Sequence, residues 1–77
     1  LVSGMVVCTN EDKPMVLGRI ALTLGEAGVN IANLALGRKA AGNHATTVIN
    51  IDGTMDRSVL ETLRKVPHVV EARFVQV

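Results

Sequence analysis

The chain has 77 residues, enough for one domain, and a domain of this size buries only about 60% of the surface that its unfolded form exposes. Its eight basic and seven acidic residues are interspersed and leave a net charge of +1, which excludes a polybasic patch for nucleic acid. The single cysteine excludes an internal disulfide framework, and no apolar run approaches the ~20 residues of a membrane-spanning helix. A cytoplasmic setting, with neither nucleic acid nor membrane as partner, is therefore expected. Because the chain begins at Leu1 rather than Met, residues 1–77 are expected to be one domain of a longer polypeptide.

A strand and a helix are predicted in the first third of the chain. Residues 5–9 form a short run rich in β-branched side chains, which is typical of a strand. Pro14 fits the first position of a helix, with Asp12 or Lys13 as its cap region. Gly28 supplies the left-handed residue that commonly ends a helix. The apolar side of this helix recurs at three- and four-residue spacing and consists of Val16, Leu17, Ile20, Ala21, Leu24 and Ala27.

Two further strands are predicted to pair as an antiparallel hairpin. Residues 29–39 predict the first of them, and a shift in its apolar alternation indicates a bulge near Ala32 and Asn33. Residues 40–43 predict the turn. The following strand alternates strictly, and one of its faces is formed by Ala45, Thr47, Ile49 and Ile51.

The last third of the chain predicts a second helix and a final strand. Asp56 or Ser58 can cap this helix, and Pro67 stops it. Residues 70–75 then alternate as a strand. Strand, helix and strand thus occur twice in the same order, which predicts an α+β fold of the ferredoxin-like type. In this βαββαβ arrangement, a four-stranded antiparallel sheet carries both helices on one face.

Two surfaces of the predicted fold lack a partner within the chain. One is the sheet face away from the helices, with a partly apolar lining of Met5, Val7, Val48, Val75 and Val77. The other is a stripe on the first helix, which consists of Gly18, Leu22 and Gly25. Glycine in a helix interior costs about 1 kcal/mol relative to alanine, so this stripe predicts close packing against a second subunit or the parent chain.

Several classes of protein share this element order, so the function has to be argued from particular residues. An RNA-recognition module stacks bases on aromatic residues of its central strands, and Phe74 is the only aromatic residue here. A copper chaperone needs two cysteines after the first strand, where this chain has none. An acylphosphatase-like enzyme needs an arginine in that loop, where Lys13 is the only cation. No set of acid, base and nucleophile is visible, and His44 and His68 are expected to be ordinary surface residues without a metal.

The loop between the first strand and the first helix is the strongest candidate site. The helix N-terminus around Met15, Val16 and Leu17 offers backbone N–H groups that attract a carboxylate. Asp12 can accept a hydrogen bond from an ammonium group, and Asn10 adds an amide. These features suit a small zwitterion such as an amino acid.

Asn30, followed by Ile31, opens the second predicted strand and can both donate and accept hydrogen bonds. We expect it to meet Asn10 and Asp12 in space and to form a polar notch with them. Helix capping is the alternative role for Asn10 and Asp12, and satisfying the backbone beside Gly28 is the alternative role for Asn30. Only the convergence of the three side chains favours a ligand.

The whole chain resembles the ACT domain, a regulatory module that binds amino acids. The residues that carry the resemblance are Asn10-Glu11-Asp12-Lys13-Pro14, Leu24-Gly25-Glu26-Ala27-Gly28 and Val29-Asn30-Ile31-Ala32. Within the family, Leu36-Gly37-Arg38-Lys39 and residues 60–67 are similar to the C-terminal domains of phosphoglycerate dehydrogenases. The ACT domain of the iron–sulfur L-serine dehydratase is a close alternative. The family usually has Gly where this chain has Met15, and serine-inhibited members often have His where this chain has Asn10.

The resemblance implies a noncatalytic domain that binds an amino-acid effector, L-serine in the serine-inhibited dehydrogenases, through residues matching Asn10, Asp12 and Asn30. It implies that two such domains pair side by side through their outer strands, with effector sites at the seam. No cofactor or metal is expected in this domain, and NAD is expected in the parent enzyme if that enzyme is a dehydrogenase. A structural dimerisation module with a decayed site is the alternative, because Met15 replaces the usual Gly.

Overall fold

A computed structural model describes residues 3–38 and 43–76 of the chain. Its elements are β1 (Ser3–Glu11), α1 (Val16–Glu26), β2 (Asn30–Arg38), β3 (His44–Asp52), α2 (Arg57–Arg64) and β4 (Val69–Gln76). All neighbouring strands are antiparallel, in the order β2-β3-β1-β4. The predicted ferredoxin-like fold is therefore confirmed, with β2 and β4 as the two edge strands.

The core lies between the sheet and the two helices, which contact each other on one face of the sheet. β1 and β3 alternate strictly between buried and half-buried residues, as the sequence predicts for β3. The fully buried core side chains are Val6, Cys8, Val16, Ile20, Leu24, Ile49, Ile51 and Leu63. Branched and small side chains fill this core because the chain has almost no aromatic residues. Burial raises the pKa of the Cys8 thiol to about 11, as expected for a cysteine that packs as a small hydrophobe.

The hairpin of β2 and β3 contains the predicted bulge. Its register is continuous from Arg38 paired with Ala45 down to Asn33, and it shifts between Asn33 and Ile31. The bulge lets the apolar residues of β2 change spacing and still face the helices. Lys39 and residues 40–42, where the turn is predicted, lie outside the described residues, as does Val77 of the predicted outer sheet face.

α1 begins at Val16, later than the sequence predicts. Pro14 lies in the turn before the helix, and the N-cap residue is Met15, with φ 72° and ψ −8° and no side-chain cap. The prediction that Asp12 or Lys13 caps this helix is wrong, because a left-handed residue at position 15 redirects the chain into the helix. The left-handed Gly28 after α1, with φ 78°, is confirmed.

The two surfaces without a partner are exposed in the described chain. A Cβ atom added to Gly18 or Gly25 would meet no atom within 4 Å, and Leu22 between them is 61% exposed. On the outer sheet face, Met5 and Val7 are half-buried and no helix covers them. Close packing on the α1 stripe stays a prediction that concerns a second copy or another part of the protein. Neither helix within residues 3–38 and 43–76 is long and apolar enough to cross a bilayer.

Candidate functional site

Backbone hydrogen bonds tie the β1–α1 loop to one end of the sheet. The Asp12 N–H donates to the Asn43 carbonyl at 2.6 Å, and the Glu11 N–H donates to the His68 carbonyl at 2.8 Å. The Lys13 N–H donates to the Glu11 carbonyl at 2.9 Å, which closes a tight turn. The segments that precede β3 and β4 therefore hold the start of the loop in place.

The N-terminus of α1 faces this loop without a capping side chain. The first N–H groups of any helix lack an acceptor within the helix, and no acidic residue lies in the first turn of α1. The side chain of Val16 is in the core, so only its backbone can serve a ligand. The side chain of Met15 is 71% exposed. This terminus can attract an anion through its N–H groups and the positive end of the helix dipole.

Asn10 is 3% exposed and holds the end of β1 to β3. Its Nδ2 donates to the Glu11 carbonyl at 3.0 Å, and its Oδ1 accepts from the Thr47 hydroxyl at 3.1 Å. One of its two amide N–H donors is used in this way. The same polar side chain that the sequence assigned to a ligand therefore has an internal structural function.

Asp12 contacts a residue outside the site that the sequence predicts. Arg38, at the end of β2, donates from Nε to the Asp12 Oδ2 at 2.8 Å. The two side chains are 66% and 34% exposed, respectively. The strand topology could have predicted this contact. β1 and β2 both pair antiparallel with β3, so their carboxyl ends lie at the same end of the sheet.

Asn30 and Ile31 lie at the opposite end of the sheet. Asn30 pairs with Asp52 at the end of β3, whereas Asn10 pairs with Ala45 at its start, which separates them by roughly 24 Å along the strand. The Asn30 Nδ2 donates to the Asp52 Oδ2 at 2.5 Å. The expectation that one chain forms the whole notch is wrong, because β2 begins a full helix length away from the loop.

His68 is exposed, as expected of a surface histidine, and it has a carboxylate partner. Its Nδ1 lies 2.6 Å from the Glu11 Oε2 in an exposed pair. This hydrogen bond lowers the pKa of the Glu11 carboxyl, with smaller contributions from the charges of His68, Lys13 and His44. In the part of the chain that the structure describes, no group of three or more acidic, histidine or cysteine side chains could hold a metal ion.

The Glu11–His68 pair predicts a pH-dependent stability. Because the folded-state pKa of Glu11 lies below its unfolded value, the pair stabilises the fold above the ordinary glutamate pKa of about 4.3. This contribution is lost as the pH falls through the folded-state pKa. We expect Glu11→Gln to lower Tm at pH 6 and to have a smaller effect below pH 4, with Glu71→Gln on β4 as the control. An effect of Glu11→Gln that is the same at both pH values would contradict the assignment.

Met15 carries backbone strain at the position where the resemblance places a glycine. A left-handed conformation costs a residue with a side chain roughly 1–2 kcal/mol, whereas glycine adopts it freely. We expect Met15→Gly to raise the free energy of unfolding by about 0.5–1 kcal/mol, after the greater entropy of an unfolded glycine is counted. Met15→Ala should give no such gain. Chemical denaturation of the two variants checks this, and equal effects would show that strain at position 15 is absent.

A shallow cavity of about 370 Å³ lies on the solvent side of α1. It is lined by Met15, Gly18, Arg19 and Leu22, so it overlaps the predicted stripe of small residues. Its lining is almost wholly apolar, so Arg19 contributes mainly the carbon atoms of its side chain. The cavity extends from the helix N-terminus along the exposed face of α1.

The sheet, the two helices and the polar loop define a small ferredoxin-like α+β domain. The sequence profile of the ACT domain matches residues 4–68. The chain belongs to the ACT domain family, and it is a regulatory domain homologous to the C-terminal domains of D-3-phosphoglycerate dehydrogenases.

Relatives in sequence support this assignment. The D-3-phosphoglycerate dehydrogenase of Methanocaldococcus jannaschii is 32% identical over 65 residues, which cover 84% of this chain and 12% of that protein. The protein of the same name from Bacillus subtilis is 28% identical over 71 residues, which cover 92% of this chain and 14% of the relative. The probable L-serine dehydratase beta chain of Bacillus subtilis is 24% identical over 66 residues, 86% of this chain and 30% of that one. The chain thus spans only 12% to 30% of the length of these relatives.

Solved structures share the fold at lower sequence identity. The ACT domain of GTP pyrophosphokinase from Chlorobium tepidum has a TM-score of 0.75 at 20% identity and covers 95% of this chain and 96% of its own. The ligand-free regulatory subunit of aspartate kinase from Thermus thermophilus has a TM-score of 0.76 at 17% identity, with 96% of this chain and 50% of its own covered. At these identities the likeness is one of fold.

Proposed function

We propose that this domain binds an amino acid, L-serine in the first instance, and thereby controls an attached phosphoglycerate dehydrogenase. The observation that carries the proposal is the β1–α1 loop, in which an uncapped helix N-terminus and the Asp12 carboxylate lie four residues apart in sequence at one end of the sheet. The helix terminus attracts an anion and the carboxylate attracts a cation. A free amino acid carries both charges about two bonds apart. An NAD site would belong to another part of such a dehydrogenase.

Two copies of the domain would complete the site by pairing through β2. This edge strand has no charged residue before Arg38 at its end, whereas the β4 edge carries Glu71 and Arg73. An edge strand without charges or proline is a template for pairing with another chain. A two-fold axis near the middle of β2 would place Asn30 of one copy beside the Arg38 end of the other. Asn30, which is remote from Asp12 in its own chain, would then join the loop across the seam.

A ligand at this seam would act by favouring one arrangement of the two subunits. Such a ligand shifts the activity of the attached enzyme only if its affinity differs between two arrangements. The α1 stripe of Gly18, Leu22 and Gly25 lies on the helix that contacts β2, so it would contribute to the same interface.

Titration calorimetry of the intact protein with L-serine and the other amino acids tests the proposal. We expect L-serine to bind. Asp12→Ala and Asn30→Ala should each lower the affinity for L-serine about 10- to 100-fold, because each variant loses a hydrogen bond to a charged group of the ligand. Glu71→Ala on β4, the edge strand away from the proposed seam, is the control. If no amino acid gives heat or a thermal shift, and dimers persist in both loop and strand variants, the domain is a structural dimerisation module.

The similarity to a serine dehydratase chain favours a second candidate, in which the same domain belongs to an L-serine dehydratase. The two candidates differ in the reaction of the intact protein. A dehydrogenase oxidises 3-phosphoglycerate with NAD, and a dehydratase deaminates L-serine. Assays of both reactions separate them, and the effector assignment is then tested on the enzyme that is active.

A further inference from the structure

We infer that Arg38 determines the specificity of the loop site for ligands that carry a carboxylate, by binding that carboxylate beside the N-terminus of α1. The inference rests on the proposed amino-acid-binding function and adds to it a residue at the end of β2. Arg38 reaches the site within its own chain, through its contact with Asp12.

The guanidinium group of Arg38 uses one of its five N–H donors within the described residues. Only its Nε hydrogen-bonds within residues 3–38 and 43–76, to the Asp12 Oδ2 at 2.8 Å. The terminal nitrogens of an arginine carry four further N–H donors in a planar fork, and this fork matches the two oxygens of a carboxylate. The side chain is 66% exposed, so a ligand can approach it from solvent.

The second carboxylate oxygen of Asp12 can accept a hydrogen bond from the ammonium group of the ligand. Its Oδ2 accepts from Arg38, and its Oδ1 accepts no hydrogen bond from the side chains and backbone that the structure describes. An ionised carboxylate accepts at both oxygens. Among the described residues, the pair therefore presents an unused acceptor for an ammonium next to an unused donor fork for a carboxylate, which is the complement of a zwitterion.

The contribution of this ion pair to folding is small. Exposed ion pairs contribute little to stability, because water and salt screen them. Loss of Arg38 should therefore leave Tm unchanged and affect ligand binding, and this difference separates a binding function from a structural one.

Titration calorimetry of the intact protein with two probes tests the inference. The probes are L-serine and ethanolamine, which has the ammonium and hydroxyl groups of serine but no carboxylate, with ethanolamine measured by competition if it gives little heat. We expect Arg38→Gln to weaken L-serine binding about 10- to 100-fold and not to weaken ethanolamine binding, because only L-serine carries the carboxylate that Arg38 would bind. Arg38→Lys should restore part of the affinity, since it supplies a point charge without the fork. Arg73→Gln on β4 is the matched control.

Three results distinguish the possibilities. L-serine binding that is unaffected by Arg38→Gln overturns the inference and leaves the proposed function intact. Equal weakening of both probes, or loss of self-association in sedimentation, also overturns it, because Arg38 would then act on structure or pairing. If the wild-type protein binds no amino acid at all, the proposed function fails and this inference fails with it.

Discussion

Replacing Leu24 by alanine should lower the free energy of unfolding by about 2–5 kcal/mol, the usual cost of truncating a fully buried leucine. Leu24 is 0% exposed on α1 and packs in the core cluster. A chain of this length has a total stability of roughly 4–12 kcal/mol, so the variant should be partly unfolded near physiological temperature. Chemical denaturation measures the change.

Leu22→Ala is the matched control, because it makes the same substitution two positions earlier on the same helix. Leu22 is 61% exposed, so its loss should change the free energy of unfolding by no more than about 0.5 kcal/mol. If a second copy packs on the α1 stripe, Leu22→Ala should instead weaken self-association in sedimentation. Equal destabilisation by the two variants would contradict the burial pattern of α1.

Replacing Gly4 by alanine should destabilise the fold by about 1–3 kcal/mol, the usual cost of overpacking. Gly4 is buried on β1, and an added Cβ atom would lie 2.4 Å and 2.5 Å from two ring atoms of Phe74 on β4. The only phenylalanine of the chain, which has no tryptophan or tyrosine, therefore packs on a glycine that leaves room for it. Phe74 would have to turn outward to accept a methyl group at position 4.

Two further variants check the origin of this effect. Gly25→Ala should stabilise α1 of the monomer by about 1 kcal/mol, because no atom of the same chain lies within 4 Å of its added Cβ and alanine is the better helix former. In a Phe74→Ala background, Gly4→Ala should cost much less, since the clashing ring is absent. A Gly4→Ala cost that is independent of Phe74 would show that the backbone at position 4, rather than the ring, requires glycine.

Much of the fold is predictable from the chain because it depends on local patterns. The order of the six elements follows from hydrophobic spacing, and the inward face of β3 follows from strict alternation. The bulge of β2 follows from one break in that alternation, and the end of α1 follows from Gly28. Each of these features is decided by residues a few positions apart.

The candidate site is less predictable because its residues meet through pairing between strands. Asp12 and Arg38 are far apart in sequence, and only the common end of β1 and β2 brings them together. Asn30 lies closer than Arg38 to Asp12 in sequence, and the length of α1 carries it to the other end of the sheet. The proposed return of Asn30 to the site requires a second copy of the chain.

The sequence by itself determined the ferredoxin-like class, the faces that are buried and the loop that carries the polar residues, because hydrophobic periodicity and turn chemistry act over short distances. Only the tertiary structure decided the left-handed start of α1 at Met15, the contact of Phe74 with Gly4 and the ion pair between Asp12 and Arg38. The last two of these features depend on the register between strands, and register places residues opposite one another that no local pattern connects.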